Sequence, residues 1–339
     1  MEKKSIQLLS ELTCADFVAF CKTNIIPHLV TLENERVQKL NKVHNFNKIC
    51  TFLMLFIVTG FCIAFICVFL SGNDSSKPMG KISIALSGMV MIAVCSAVII
   101  ESKIETLISP MFQEFKSSVY TLLFSYFGQF KYYPKEIPLS YPVYDSALTM
   151  VKGLKLFDNF NIYSIDDCIT GVYNGLNLRI LDLDLQKGEG RQKDTIFDGV
   201  LLECNCNKKF HSTTIVRLNK DVVHSPWQSG AMNRVALEDP VFEKEFNVYS
   251  TDQTESRYIL TAAFMNRLLK AQKKLGIPLT CSFENGKMYV AIHNNKDWFD
   301  IDFVNDSFTD IRTFQKILID LVEVLSIIDT LNADSNIGM

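Results

Sequence analysis

Two groups of residues in this chain have types and spacing that could carry chemistry. Cys204 and His211 stand near each other beside an expected strand and loop, and a thiol against an imidazole is the arrangement that yields an activated nucleophile. Asp252, Glu255 and Arg257 lie in the polar stretch from Tyr249 to Tyr258, where two carboxylates and a guanidinium could bind a polar ligand. Both groups also have a structural explanation. An Asp followed by a Glu at the N3 position is the pattern of a helix start, because the acids satisfy free N–H groups and suit the helix dipole. That reading is preferred for Asp252 and Glu255, and a plain surface position for His211.

No other pattern points to a reaction. There is no phosphate-binding Walker loop, HExxH, GxSxG or GxGxxG. Gly188-Glu-Gly190 reads as a charged turn, and Asp166-Asp167 as turn chemistry before a strand. Asp182 and Asp184 alternate with Leu181, Leu183 and Leu185, the pattern of a half-buried strand with a solvated face. Cys204 and Cys206 would share one side of a strand, but two ligands without a second pair make a poor zinc site. No metal and no cofactor are expected, and catalysis is the less favoured reading.

The elements that must position these residues follow from periodicity. A helix is expected over Val143–Phe157. After it the apolar period changes to two, with strands at Ile169–Val172 and Leu176–Leu185 around the Asn174-Gly175 turn. Further strands are expected at Thr195–Asn205, Thr213–Leu218, Leu279–Phe283 and Lys287–Ile292, the last two around Asn285-Gly286, with 219–232 as loop. One long helix spans Gln253–Leu275 and another Thr309–Leu331, opened by a capping pattern at Ser307–Asp310. The fold class is therefore α+β, a mostly antiparallel sheet with two long helices, occupying 138–331 before a polar tail at 332–339. A partly closed barrel sealed by the last helix is compatible with this pattern.

The region before it has a different character. Hydrophobic residues make up 48% and charged residues 21%, and the mean hydropathy is +0.15. The excess sits in two uncharged runs, Ile49–Leu70 and Ile82–Ile100, each long enough to span a bilayer as a helix. Ser71–Lys81 is too short for a domain, so residues 49–100 read as a transmembrane hairpin with both termini on one side. Arg36, Lys39, Lys42, Lys48, Lys103 and Lys116 flank the hairpin, against Lys77 and Lys81 in the loop, which puts both termini in the cytoplasm. Ten scattered cysteines without a pairing framework agree with a reducing compartment.

Residues 1–48 read as an amphipathic helical segment with a capping box at Thr13–Asp16 and a break at Pro27. Residues 101–137 read as a helical stalk ending in a proline-containing linker. These cytoplasmic extensions either pair with each other or lie on the inner leaflet. The expected partners are the lipid bilayer and either a protein partner or a second copy joined through the stalk. A net charge of −3 and a pI near 6.0 argue against a nucleic-acid partner.

The stretches 197–216, 235–269 and 279–292 resemble the bacterial and archaeal family labelled domain of unknown function 3137. The most specific part is Glu238-Asp-Pro-Val-Phe-Glu-Lys-Glu-Phe-Asn-Val-Tyr-Ser-Thr-Asp-Gln-Thr-Glu-Ser-Arg-Tyr258. Ser256 and Ala262 stand where Ala and Pro are expected, and His211-Ser212 where a glycine-containing turn is common. Members often carry a membrane hairpin before the domain, so the resemblance implies a bacterial inner-membrane location. It supplies no activity and no catalytic residues. The expected function is a membrane-anchored intracellular binding or scaffold module. The alternative is a membrane-associated enzyme whose site gathers distant residues such as Cys204, His211 and Asp252.

Overall fold

The structure is a computed structural model that describes residues 11–12, 14–70, 106, 110–134, 142–190, 192–206, 208–219, 232–294 and 296–331. The second apolar run, its connecting loop, residues 135–141, most of the 219–232 loop and the polar tail lie outside this set. The chain divides into two compact units. One holds Met1–Ile25, Lys116–Ile301 and Asp310–Met339, and the other Ile26–Phe115 and Asp302–Thr309.

The first unit is α+β and is built on a nine-stranded antiparallel sheet. Its strands are β1 (Gln129–Pro134), β2 (Ile162–Tyr173), β3 (Leu176–Glu189), β4 (Gln192–Asn205), β5 (Thr214–Leu218), β6 (Asn233–Arg234), β7 (Phe246–Ser250), β8 (Leu279–Glu284) and β9 (Lys287–His293). The order is β1-β2-β3-β4-β9-β8-β5-β7-β6. Among the described residues β1 and β6 do not pair, so the sheet is open rather than barrel-like. Both Asn-Gly turns form as expected. Asn174 and Gly175 have φ of 51° and 79°, and Asn285 and Gly286 have 50° and 73°, which matches the twist of the flanking strands.

One sheet face carries Cys168, Leu181, Leu183, Leu185, Phe197 and Leu201 into a core with Tyr144, Ala147 and Val151 of the helix Pro142–Gly153. On the opposite face Ile180, Val200, Leu202 and Ile292 are equally buried. The long C-terminal helix Ile311–Leu331 is tied to the β2–β3 turn, where Asp329 accepts the Tyr173 hydroxyl at 2.9 Å and the Asn174 amide at 3.0 Å. This helix starts at Ile311, two residues after the expected Thr309, because Asp310 takes the Arg312 N–H at 2.9 Å.

Three differences from the sequence expectation have physical causes. Residues 129–134, assigned to stalk and linker, form edge strand β1 against β2, with Phe130, Tyr132 and Pro134 buried. An edge strand tolerates the proline, and Gly171 makes the approach possible, since a Cβ there would lie 2.5 Å from the Gln129 carbonyl oxygen. The sheet unit therefore starts before residue 138. The expected helix Gln253–Leu275 splits into Gln253–Ile259 and Ala262–Leu275, because Leu260 leaves helical geometry and the Thr261 hydroxyl caps the second piece. A short helix Pro240–Glu245 and strand β7 were not anticipated, being too brief for a periodic signal.

The N-terminal segment differs as well. Cys14 is the N-cap of the helix Ala15–Phe20, its sulfur accepting the Phe17 N–H at 3.4 Å. No break occurs at Pro27. A π-helical turn, Cys21–Ile25, leads directly into the helix Ile26–Leu70, shifting the hydrogen-bond register just where the proline cannot donate.

In the second unit, Glu33 and Arg36 of that helix form a paired ion bond at 2.8 Å. Arg36 donates to the Phe303 and Val304 carbonyls, and Glu33 accepts from Ser307 and the Phe308 N–H, so the 302–309 turn docks on the helix. Phe115 stacks on Phe308 at 4.5 Å. The helix Ile26–Leu70 runs through the first apolar run, of which most side chains beyond residue 52 are not described. Among the described residues no helix is long and apolar enough to cross a membrane.

Candidate functional site

The residues singled out in the sequence serve the main chain. Asp252 is the N-cap of Gln253–Ile259, its carboxylate accepting the N–H groups of Thr254 at 2.7 Å and Glu255 at 3.0 Å. Glu255 then reaches the 206–213 segment, where it accepts the N–H of His211 at 2.9 Å and of Ser212 at 2.7 Å. Its bonds to Ser212 and His211 hold the Glu255 carboxyl below the usual range. Arg257 donates to the Ala236 carbonyl at 3.4 Å. The three are brought together, but as clamps on three chain segments.

Cys204 and His211 do not form a catalytic pair. Cys204 lies in β4 at 2% exposure, and burial pushes its thiol well above the ordinary value. His211 is exposed, and among the described residues no hydrogen bond joins the two. Cys206 is likewise pushed up to about 12 by burial. A thiolate nucleophile needs the opposite environment.

Sequence reasoning missed a row of carboxylates on the sheet face opposite the Pro142–Gly153 helix. Register places Asp167 of β2 directly across from Asp182 of β3, and Asp184 of β3 across from Asp198 of β4. The solvated face expected for Asp182 is therefore half-buried, because other elements cover it. Lys116, from a helix over 110–124, sits above the row with both Asp167 oxygens at 3.0 Å and forms an ion pair with Asp300. Tyr132 of β1 donates its hydroxyl to Asp167. Tyr120 donates to the Phe299 carbonyl at 2.5 Å, and Asp320 takes the Phe299 N–H at 2.9 Å, holding Phe299 at a φ of 60°.

Electrostatics in this row follow from burial and like charge. Burial, opposed by Lys116, pushes Asp167 up to about 6. Burial and then the neighbouring Asp167, Asp166 and Asp300 push Asp182 up to about 8. Burial disfavours the Lys116 ammonium, but Asp167 and Asp300 hold it net above its ordinary value. Asp166, Asp182, Asp184, Asp198, Lys296 and Asp297 line a depression of about 420 Å³. Among the described residues no three His, Cys, Asp or Glu side chains stand at metal-ligand spacing.

A second open cleft lies elsewhere in the same unit. Leu156, Phe157, Ile196, Phe197, Pro278 and Ala291 give it apolar walls, and Asp158, Arg217, Thr280 and His293 bring polar groups to it. Phe157 packs on Phe197 with ring centroids 4.9 Å apart, and Phe197 faces His293 at 5.8 Å. Arg217 is positioned by donation to the Leu156 carbonyl at 2.7 Å. Among the described residues no Ser, Cys or Lys side chain lines the cleft. Its segments are far apart in the chain, so no local pattern announced it.

Comparison with known proteins gives little beyond the family. No curated protein matches this chain. The crystal structure of the mycobacterial trehalose monomycolate transport factor A, TtfA, is similar at 11% identity and a TM-score of 0.28, over 50% of this chain and 76% of that one. So slight a likeness carries no argument. The family model described as "Protein of unknown function (DUF3137)" matches residues 195–333, which span β4 to the C-terminal helix, the clamps at Asp252 and Glu255 included. Over these residues the chain is similar to that family, as the resemblance implied.

Proposed function

We propose that this chain is a membrane-anchored binding module and that the cleft between Phe157, Arg217 and His293 is its ligand site. The observation that carries the reading is the lining of that cleft. Apolar walls converge there with the Arg217 guanidinium and the His293 imidazole, beside Asp158 and the hydroxyls of Thr195 and Thr280, and among the described residues no hydrogen bond joins either hydroxyl to His293. Such a lining suits recognition of a small ligand with an apolar body and an anionic group. Turnover would need an activated group that the lining lacks.

Anchoring rests on the two uncharged runs, 49–70 and 82–100, as a hairpin with both termini cytoplasmic in a bacterial inner membrane. Twenty-two residues at the helical rise reach about 33 Å, enough for a bilayer core. The helix Ile26–Leu70 continues unbroken through the first run, and Ile49, Phe52 and Phe56 are exposed at its start, which supports a lipid-facing role. Partner contact through the helices flanking the hairpin would make the same module a scaffold.

The test uses the full chain in lipid nanodiscs, screened by thermal shift against aromatic carboxylates and phosphate monoesters. Stabilisation by a member of this panel that disappears in Arg217→Ala supports the cleft. Stabilisation unchanged in Arg217→Ala, or none at all, removes it. A turnover in a substrate screen that depends on Cys204, His211 or Asp252 would replace binding by the enzyme reading.

A further inference from the structure

The carboxylate row poses a problem of charge. Asp182 has two cross-strand neighbours, Asp167 on β2 and the fully buried Val200 on β4. One is a like charge and the other is hydrocarbon. Carboxylates directly opposite on one sheet face repel, and burial strengthens the repulsion. The cation at hand is Lys116, already bound to Asp167 and Asp300. Three carboxyl groups thus share one buried ammonium.

Among the described residues, the other groups facing the row do not supply the missing charge. Asp166 on β2, Asp184 on β3, Asp198 on β4 and Asp297 add negative charge. Lys296 is held by Asp320 and Glu323 of the C-terminal helix. Tyr120 and Tyr132 are neutral hydroxyls, and burial pushes both higher. A proton can neutralise one carboxyl where no cation can.

We propose that Asp182 is protonated in the folded protein at neutral pH, and that this proton keeps the Lys116 portion of the 110–124 helix seated on β2. With Asp182 neutral, Lys116 has only Asp167 and Asp300 to satisfy. Tyr120, bound to Phe299, and Thr121, whose hydroxyl accepts the Tyr132 N–H at 3.1 Å, then stay in register with the sheet. Loss of the proton sets a second, half-buried anion directly across from the buried Asp167. Lifting the helix lets water solvate both.

The sign follows from linkage. A carboxyl raised in the closed state binds a proton that the open state releases, so closure weakens as pH rises from the ordinary carboxylate range to the closed-state value. For Asp182 that window runs from 3.8 to about 8. For Asp167 it ends near 6. Between pH 6 and 8 Asp182 therefore titrates above the range of its neighbour.

The test is amide hydrogen exchange on the full chain in nanodiscs at pH 6, 7, 8 and 9, corrected for intrinsic rate. Opening of 116–124 should increase by up to about tenfold per pH unit toward pH 8 and level off beyond it. Asp182→Asn, a neutral isostere, should lose that slope and be at least as protected at pH 8 as the native chain is at pH 6. A native slope in Asp182→Asn overturns the proposal. If that variant does not fold, the native chain still decides. A slope in 116–124 that is absent from the helix Ala262–Leu275 supports it, and a flat profile, or equal slopes in both helices, defeats it.

Discussion

Glu255 accepts the backbone N–H of Ser212 at 2.7 Å, across 43 residues of chain. This bond anchors the start of β5 to the helix Gln253–Ile259, whose first turn is capped by Asp252. Asp252→Asn should be nearly neutral, since Asn caps as well as Asp, while Asp252→Ala should cost about 1 kcal/mol. Denaturant unfolding of the three proteins measures this. Equal damage from Asn and Ala would show that the charge itself matters and return Asp252 to the list of site residues.

The Lys116–Asp167 pair gives a second prediction. Both side chains are nearly inaccessible, at 5% and 1% exposure. Asp167→Ala leaves a buried ammonium short of a partner and should destabilise by about 3–5 kcal/mol. The double change Lys116→Met and Asp167→Leu should recover part of that loss, because it removes the stranded ammonium and fills the space, while Asp300 and the Tyr132 hydroxyl each give up a partner. A double variant as unstable as the single one would contradict the buried-pair account.

The position of β1 changes where the sheet unit can be cut. A fragment starting at 138 lacks β1, Lys116 and Tyr120, and exposes the edge of β2 with Asp167. It should be insoluble or molten, whereas a fragment covering 110–331 should show a cooperative melt. Gly171→Val should mimic the shorter fragment, because its side chain collides with Gln129 and Phe130. Melting curves of the three proteins compare them directly.

Cysteine reactivity tests the account of Cys204. Burial raises that thiol, while the Phe17 N–H at the helix start lowers the thiol of Cys14. Thiolate fraction and access both favour Cys14. Iodoacetamide should therefore modify Cys14 well before Cys204 in the folded chain, as read by peptide mass spectrometry. Early modification of Cys204 would reopen its case as a nucleophile.

At the far end of the C-terminal helix, Asp329→Ala removes the acceptor of Tyr173 and Asn174. A loss of about 2 kcal/mol is expected, since a buried hydroxyl is left without its partner. Asp329→Asn should keep part of it. Thermal denaturation distinguishes the two variants.

What the sequence by itself determined is local. Both Asn-Gly hairpins, the strands they join and the helix start at Asp252 follow from residues within a few positions of one another, since turn geometry and capping are short-range. The lack of a contiguous catalytic motif was equally plain. What only the tertiary structure decided depends on partners far away in the chain. Gln129–Pro134 is a strand because β2 offers an edge at Gly171, and its proline and tyrosines alone read as linker. Asp182 looked solvated because alternation reports which residues share a face, not what covers that face. The 110–124 helix brings Lys116 to that face, 3.0 Å from Asp167. The cleft at Arg217 and His293 likewise assembles from five separated segments. Its chemistry exists only once the sheet has paired.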